Sequence, residues 1–145
     1  MIKKVYLFAL LIAVIFLSAC TQKFFLDKQY YNQGNYIEIT SDEFENLDSK
    51  NYILFTYNNY CAFSVPCDEI FKEFMENFGI DFLSMSYEEF KETKLHDTVE
   101  FAPSVIIVKN WKIVDYLDSE KDKYLDMYQD VEKFGQWIKK YIEIK

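Results

Sequence analysis

Cys20, Cys61, Cys67 and His96 are all the cysteines and histidines of this chain, and they set the chemistry open to it. One His excludes a multi-histidine metal site. His96 lies in the polar stretch Lys94-Leu95-His96-Asp97, reads as solvated, and has no context for a Ser-His-Asp set. Asp118, Glu120, Asp122 and Asp126 sit in an acid-rich stretch from Asp115 to Asp130, which reads as a solvated loop. Their spacing departs from the EF-hand pattern, which needs a central Gly and a final Glu. No metal and no cofactor are therefore expected. Thiol chemistry remains. Five residues separate the two later cysteines, in Cys61-Ala62-Phe63-Ser64-Val65-Pro66-Cys67. A loop that short can bring two α-carbons to the ~4.4–6.8 Å a disulfide requires. Closing it would stabilise a fold by about 2 kcal/mol on chain-entropy grounds.

Composition narrows the classes further. Of 145 residues, 50% are hydrophobic and 19% aromatic, enough to bury a core and to exclude global disorder. The net charge is -8 and every basic residue is Lys, which argues against a nucleic-acid partner. Only three Gly occur, and neither GxGxxG nor GxxxxGK[ST] is present, so no glycine-rich nucleotide loop is expected.

The N-terminus reads as an address. Met1-Ile2-Lys3-Lys4 is cationic and Val5 to Phe16 is an uncharged apolar run. About a dozen residues is too short for a comfortable transmembrane helix, which needs roughly 20, and fits a signal-peptide core. Leu17-Ser18-Ala19-Cys20 then resembles the bacterial lipoprotein signal, in which small residues precede the acylated Cys. That resemblance implies a signal peptide over 1–19 and a diacylglyceryl group and palmitate on Cys20. It also implies a lipid anchor in the cell membrane or outer membrane, facing away from the cytoplasm. Cys61 and Cys67 would then lie where disulfides persist. Residues 20–35 are polar, with scattered aromatics and no clear period, and are expected to form a lipidated tether, the alternative being an extra strand or arm that uses Phe24, Phe25, Tyr30 and Tyr31.

From Tyr36 the punctuation becomes regular. Tyr36 to Ile39 alternates as a strand. Thr40 or Ser41 caps a short helix carrying Asp42 and Glu43 in its first turn. Tyr52 to Tyr57 is a nearly continuous apolar run, the pattern of a strand buried on both faces. A helix starts at Val65 or Pro66, carries Ile70, Phe71, Phe74 and Phe78 at helical spacing, and stops at Gly79. Ile80 to Met85 is a strand. Ser86 and Glu89 form a capping-box pattern. Ser104 to Val108 and Lys112 to Leu117 make a hairpin about Asn110-Trp111. A last helix spans Asp130 to Tyr141. The order is βαβαβαββα, which demands crossover helices and a mixed sheet with helices on both faces.

This α/β order over residues 36–145 resembles the thioredoxin fold, and two stretches sharpen the likeness. Ala102-Pro103-Ser104-Val105-Ile106-Ile107-Val108-Lys109-Asn110-Trp111-Lys112 is similar to the segment in which a Pro begins a buried strand that ends in a Lys-Asn turn. Ile53 to Cys67 repeats the order of buried strand, loop and Pro-Cys at a helix start. The resemblance implies a cis bond at Ala102-Pro103, with Pro103 shaping a substrate groove beside the thiols.

The family's Cys-x-x-Cys is replaced here by Cys-x5-Cys, in one of two registers. In one, Ser64-Val65-Pro66-Cys67 overlays the motif, Ser64 takes the attacking position and caps the helix, and Cys67 is the resolving thiol. In the other, Cys61 attacks and the loop is longer by three residues. The buried acid that the family places on the preceding strand falls near Thr56, which cannot titrate usefully. The expected function is a membrane-anchored, extracytoplasmic thioredoxin-like lipoprotein. As an enzyme it would exchange disulfides with exported proteins through Cys61 and Cys67. As a binding module serving an export system it would carry a structural disulfide or two reduced thiols.

Overall fold

A computed structural model describes residues 22–58 and 66–144. Strand β2 (Tyr52–Tyr57) is buried along all but its last residue, so no face of it meets water and its sequence has no reason to alternate. β3 (Phe82–Ser86) lies parallel to β2 on one side and β4 (Ser104–Lys109) antiparallel on the other. β1 (Tyr36–Glu38) pairs in parallel outside β3, and β5 (Lys112–Asp118) antiparallel outside β4. The sheet therefore reads β1-β3-β2-β4-β5. Helices α1 (Ser41–Glu45), α2 (Cys67–Phe78), α3 (Tyr87–Phe90) and α4 (Val131–Ile138) complete the order βαβαβαββα.

Alternation along β2 divides the helices between the two faces. Phe55 meets Phe71 of α2 at a ring-centroid distance of 5.3 Å, and Phe71 meets Phe134 of α4 at 4.5 Å. Tyr52, of opposite parity, meets Phe44 of α1 at 6.1 Å. The core on the α2 side is thus built from tilted and edge-on rings, which is where much of the high aromatic content goes.

Local chemistry sets the ends of the elements. α2 ends at Gly79, whose φ of 59° is left-handed and whose amide donates to the Met75 carbonyl. Asp130 caps α4 by accepting from the amides of Glu132 and Lys133. That helix stops at Ile138 rather than Tyr141, because Ile142 pairs in extended form with Phe24. Asn110 and Trp111 both have positive φ, 51° and 60°, the backbone of a two-residue primed hairpin turn. The full capping box forms at Thr40 and Glu43, not at Ser86 and Glu89. Ser86 does cap α3, but the Glu89 carboxylate crosses to the amide and hydroxyl of Ser41, at 2.8 and 2.6 Å. The amide of Ser41 is an unpaired first-turn donor, so it competes for that carboxylate.

The tether expected over residues 20–35 is corrected over its described part. Phe24, Leu26 and Tyr30 are buried. The amide of Phe24 donates to Tyr141 and its carbonyl accepts from Glu143, both at 2.8 Å. The Tyr30 hydroxyl donates to Ser49 at 2.7 Å. The carboxylate of Asp81, itself buried, accepts from the amides of Gly34 and Asn35 at 2.9 and 2.7 Å and from the Asn32 side chain at 3.2 Å. Residues 24–35 are therefore an arm of the domain. Its anchors are used one at a time along an irregular path, which leaves no period to read. The acid-rich stretch is likewise more ordered than expected: β5 runs through Asp118, and Tyr128 is wholly buried.

Candidate functional site

The carboxyl ends of β1 and β2, the first turn of α2 and the residue before β4 converge on one cavity of about 280 Å3. α2 contributes Cys67 and Asp68, and the bend into β4 contributes Pro103. β1 contributes Tyr36 and Glu38, β3 contributes Ser84, and β2 contributes Phe55 and Tyr57, with Asn58 just beyond it. Convergence at the carboxyl ends of strands is the usual place for reactive groups in open α/β sheets.

Cys67 is the first residue of α2 and is 2% exposed. At that position the helix dipole favours a thiolate. The N-cap position before it is held by Pro66, which offers no side-chain cap. The Ala102-Pro103 peptide bond is cis, as the family resemblance implies. Three hydrogen bonds hold that bend. Asn58 Nδ2 donates to the Ala102 carbonyl at 2.7 Å, and Ser104 Oγ to the Phe101 carbonyl at 2.6 Å. The buried Tyr128 hydroxyl lies 2.8 Å from the Pro103 carbonyl and 2.9 Å from that of Leu117. Cys67 and Pro103, expected together from the sequence, thus line one groove.

The cavity carries a carboxylate that sequence reasoning missed. Glu38 accepts from the Tyr57 hydroxyl at 2.7 Å and from Ser84 Oγ at 2.6 Å. The bond to Glu38, with burial second, pushes the Tyr57 phenol up to about 12. Tyr36 donates to the Asp68 carbonyl at 2.9 Å. Its phenol is raised much further, first by burial and then by the negative charges of Asp68 and Cys67. The signal available for Glu38 and Tyr57 was their place at the ends of parallel strands. Their contact depends on β1 and β2 flanking β3, which local pattern does not reveal.

Thr56, where the family's buried acid would fall, is fully buried and its hydroxyl has no hydrogen-bond partner among the described residues. Cys20, Cys61 and Ser64 lie outside the described residues. His96 is half-buried rather than solvated. Its ring packs edge-on to Tyr87 and Phe90 at centroid distances of 5.8 and 5.9 Å. Among the described residues no group of three or more His, Cys, Asp or Glu could hold a metal ion. Asp118 is engaged by Lys121 at 3.0 Å and Asp126 by Lys133. No helix among the described residues is long and apolar enough to cross a membrane.

Compared with protein-family models and with curated protein sequences, the chain matches none. Among solved structures it is similar to a thioredoxin of Schistosoma mansoni, with a TM-score of 0.53 and 23% identity, over 77% of this chain and 99% of that one. It is similar to the thioredoxin NaTrxh of Nicotiana alata, with a TM-score of 0.54 and 15% identity, over 77% and 95% of the two chains. It is also similar to spinach chloroplast thioredoxin f, with a TM-score of 0.53 and 18% identity, over 81% and 97%. At such identities the likeness speaks for architecture, and with the observed strand order it establishes that this chain has the thioredoxin fold.

Proposed function

We propose that the chain is a lipid-anchored, extracytoplasmic thioredoxin-like protein that exchanges thiols and disulfides with exported polypeptides through Cys61 and Cys67. The observation that carries this reading is the placement of Cys67 at the first turn of α2, in one cavity with the cis-Pro103 bend. In the reducing direction one thiolate of the pair attacks a substrate disulfide. A mixed disulfide forms and one substrate thiolate leaves. The second thiolate of the pair then attacks the mixed disulfide, releasing the other substrate thiolate and leaving a Cys61–Cys67 disulfide. The reverse sequence oxidises a substrate dithiol. The anchor in this reading is lipid on Cys20, supported by Leu17-Ser18-Ala19-Cys20 after an apolar core.

A second reading, a non-catalytic binding module using the same groove, is favoured by Thr56. Its hydroxyl cannot supply the proton acceptor that a buried acid would. The reduction potential of the pair separates the two. A value between about −270 and −120 mV belongs to an exchange site, and one below about −300 mV to a structural bridge. Trapping with Cys67→Ser should recover mixed disulfides with exported proteins if exchange occurs. Mass spectrometry of the membrane fraction should find acylated Cys20, and a soluble product with residues 1–19 intact would sink the anchor.

A further inference from the structure

The cavity beside Cys67 is walled by aromatic rings and carries negative charge. Tyr36 and Phe55 lie 5.5 Å apart between centroids, and Phe55 and Tyr57 6.0 Å apart. Glu38 and Asp68 line the same space, and no Lys is among the described residues that line it. Lys72, one turn along α2, is engaged elsewhere, by the Gly34 carbonyl at 2.7 Å, Asn35 at 3.2 Å and Glu76 at 3.4 Å. The two groups bonded to Glu38 are neutral hydroxyls. They orient the carboxylate without cancelling its charge and leave lone pairs open on both oxygens. A volume of about 280 Å3 falls just below the range of roughly 300–1,000 Å3 typical of small-molecule pockets, and suits a single side chain.

Rings with a carboxylate beside them are the usual recognition chemistry for an organic cation. The net charge of -8 adds a long-range field of the same preference. We propose that this groove selects polypeptides with a Lys or Arg side chain next to the reacting cysteine, the cation resting against Glu38 and Asp68 along the wall of Tyr36, Phe55 and Tyr57. The proposal deepens the exchange reading, since it names the substrate class that the groove beside Cys67 presents to the Cys61 and Cys67 pair.

The test uses the full chain in detergent and labelled, end-blocked peptides that differ only in one residue beside a central serine: arginine, alanine or glutamate. Serine in place of cysteine removes any covalent step, so binding is read separately from exchange. The arginine peptide should bind about five- to tenfold tighter than the glutamate peptide at low salt. Glu38→Gln should bring that ratio most of the way to one, with folding checked by circular dichroism. Asp68→Asn, at the exposed first turn, repeats the test should Glu38→Gln unfold. Equal binding of the three peptides, no binding at millimolar concentration, or a ratio unchanged in both variants overturns the proposal. Cysteine versions of the peptides then separate the two claims. Exchange at equal rates with all three removes the cation preference and leaves the oxidoreductase. Arginine-selective binding without exchange keeps the preference and removes the oxidoreductase.

Discussion

The hydroxyl of Tyr57, at the end of β2, donates at 2.7 Å to Glu38, at the end of β1. The contact spans β3, which lies between the two strands and sends Ser84 Oγ to the other carboxylate oxygen at 2.6 Å. Three parallel strands thereby hold one charged group at the mouth of the groove.

That contact predicts an alkaline titration. Tyr57 should ionise near 12, against about 10 for an unperturbed phenol. A raised folded-state value favours the protonated form. Its stabilising contribution is whole below pH 10 and is lost as pH rises from about 10 to 12. Tyr141, also pushed up to about 12, adds to the same loss. Glu38→Gln should move the Tyr57 transition back towards 10, read from the ring carbon shifts of labelled tyrosine. An unmoved transition would show that burial, not Glu38, sets it.

Gly34 and Asp81 test whether the arm belongs to the domain. Gly34 has a φ of 79°, and a β-carbon there would lie 2.4 Å from the Met75 carbonyl carbon and oxygen. Gly34→Ala should destabilise by more than about 2 kcal/mol, because both the backbone conformation and the contact must give. Asp81→Ala strips the acceptor from the amides of Gly34 and Asn35 and should cost about 2–4 kcal/mol. Urea unfolding measures both. Losses under about 0.5 kcal/mol would return the segment to a tether.

What the sequence made legible follows from how local the signals are. β2 was readable because a strand buried on both faces leaves an unbroken apolar run. α2 was readable from its ring spacing and from Gly79 at its end. The hairpin was readable although Trp111 is a poor residue for positive φ, because the flanking strands left only two residues to turn. The cis bond at Pro103 was expected from family resemblance, not from the residues' own chemistry. The arm was legible only as the alternative to a tether, from aromatics such as Phe24 and Tyr30, since Phe24, Leu26 and Tyr30 each fill a separate position on the body and set no period. Glu38 was not legible. As the last residue of a short edge strand it looks like solvent-facing polarity until the order β1-β3-β2 sets Tyr57 and Ser84 against it.

Asp115 predicts a third outcome, in the packing of α4. Its Oδ2 accepts from Trp137 Nε1 at 2.8 Å and from the Tyr141 hydroxyl at 2.7 Å, and its Oδ1 from the Tyr116 amide at 2.9 Å. One carboxylate thus ties β5 to the last helix and the turn after it. Asp115→Ala should destabilise by about 1–3 kcal/mol, the penalty for leaving part-buried donors without their acceptor. The Tyr141 phenol, raised by burial first and the Asp115 bond second, should fall back towards its ordinary value in the same variant. Unchanged stability and an unchanged Tyr141 titration would show that burial alone holds the helix end.

The last prediction concerns the thiols. Cys67 lies in the first turn of α2 and lines the cavity with Pro103. Cys61 lies six positions earlier in the sequence, outside the described residues. A loop of that length can close a disulfide without strain, and an oxidising compartment would keep it closed. Non-reducing mass spectrometry of the exported protein should therefore find a 61–67 link. A link by itself does not make an enzyme, because a bridge that never opens gives the same mass. Exchange requires a thiolate that is a good leaving group, which the helix start at Cys67 favours. Incubation with reduced insulin or a scrambled disulfide substrate should then show turnover that Cys67→Ser abolishes. Turnover that survives Cys67→Ser would move the chemistry elsewhere. A link without turnover would make the bridge structural. No link and no turnover would end the oxidoreductase reading and leave the binding-module reading, which the peptide-binding experiment tests separately.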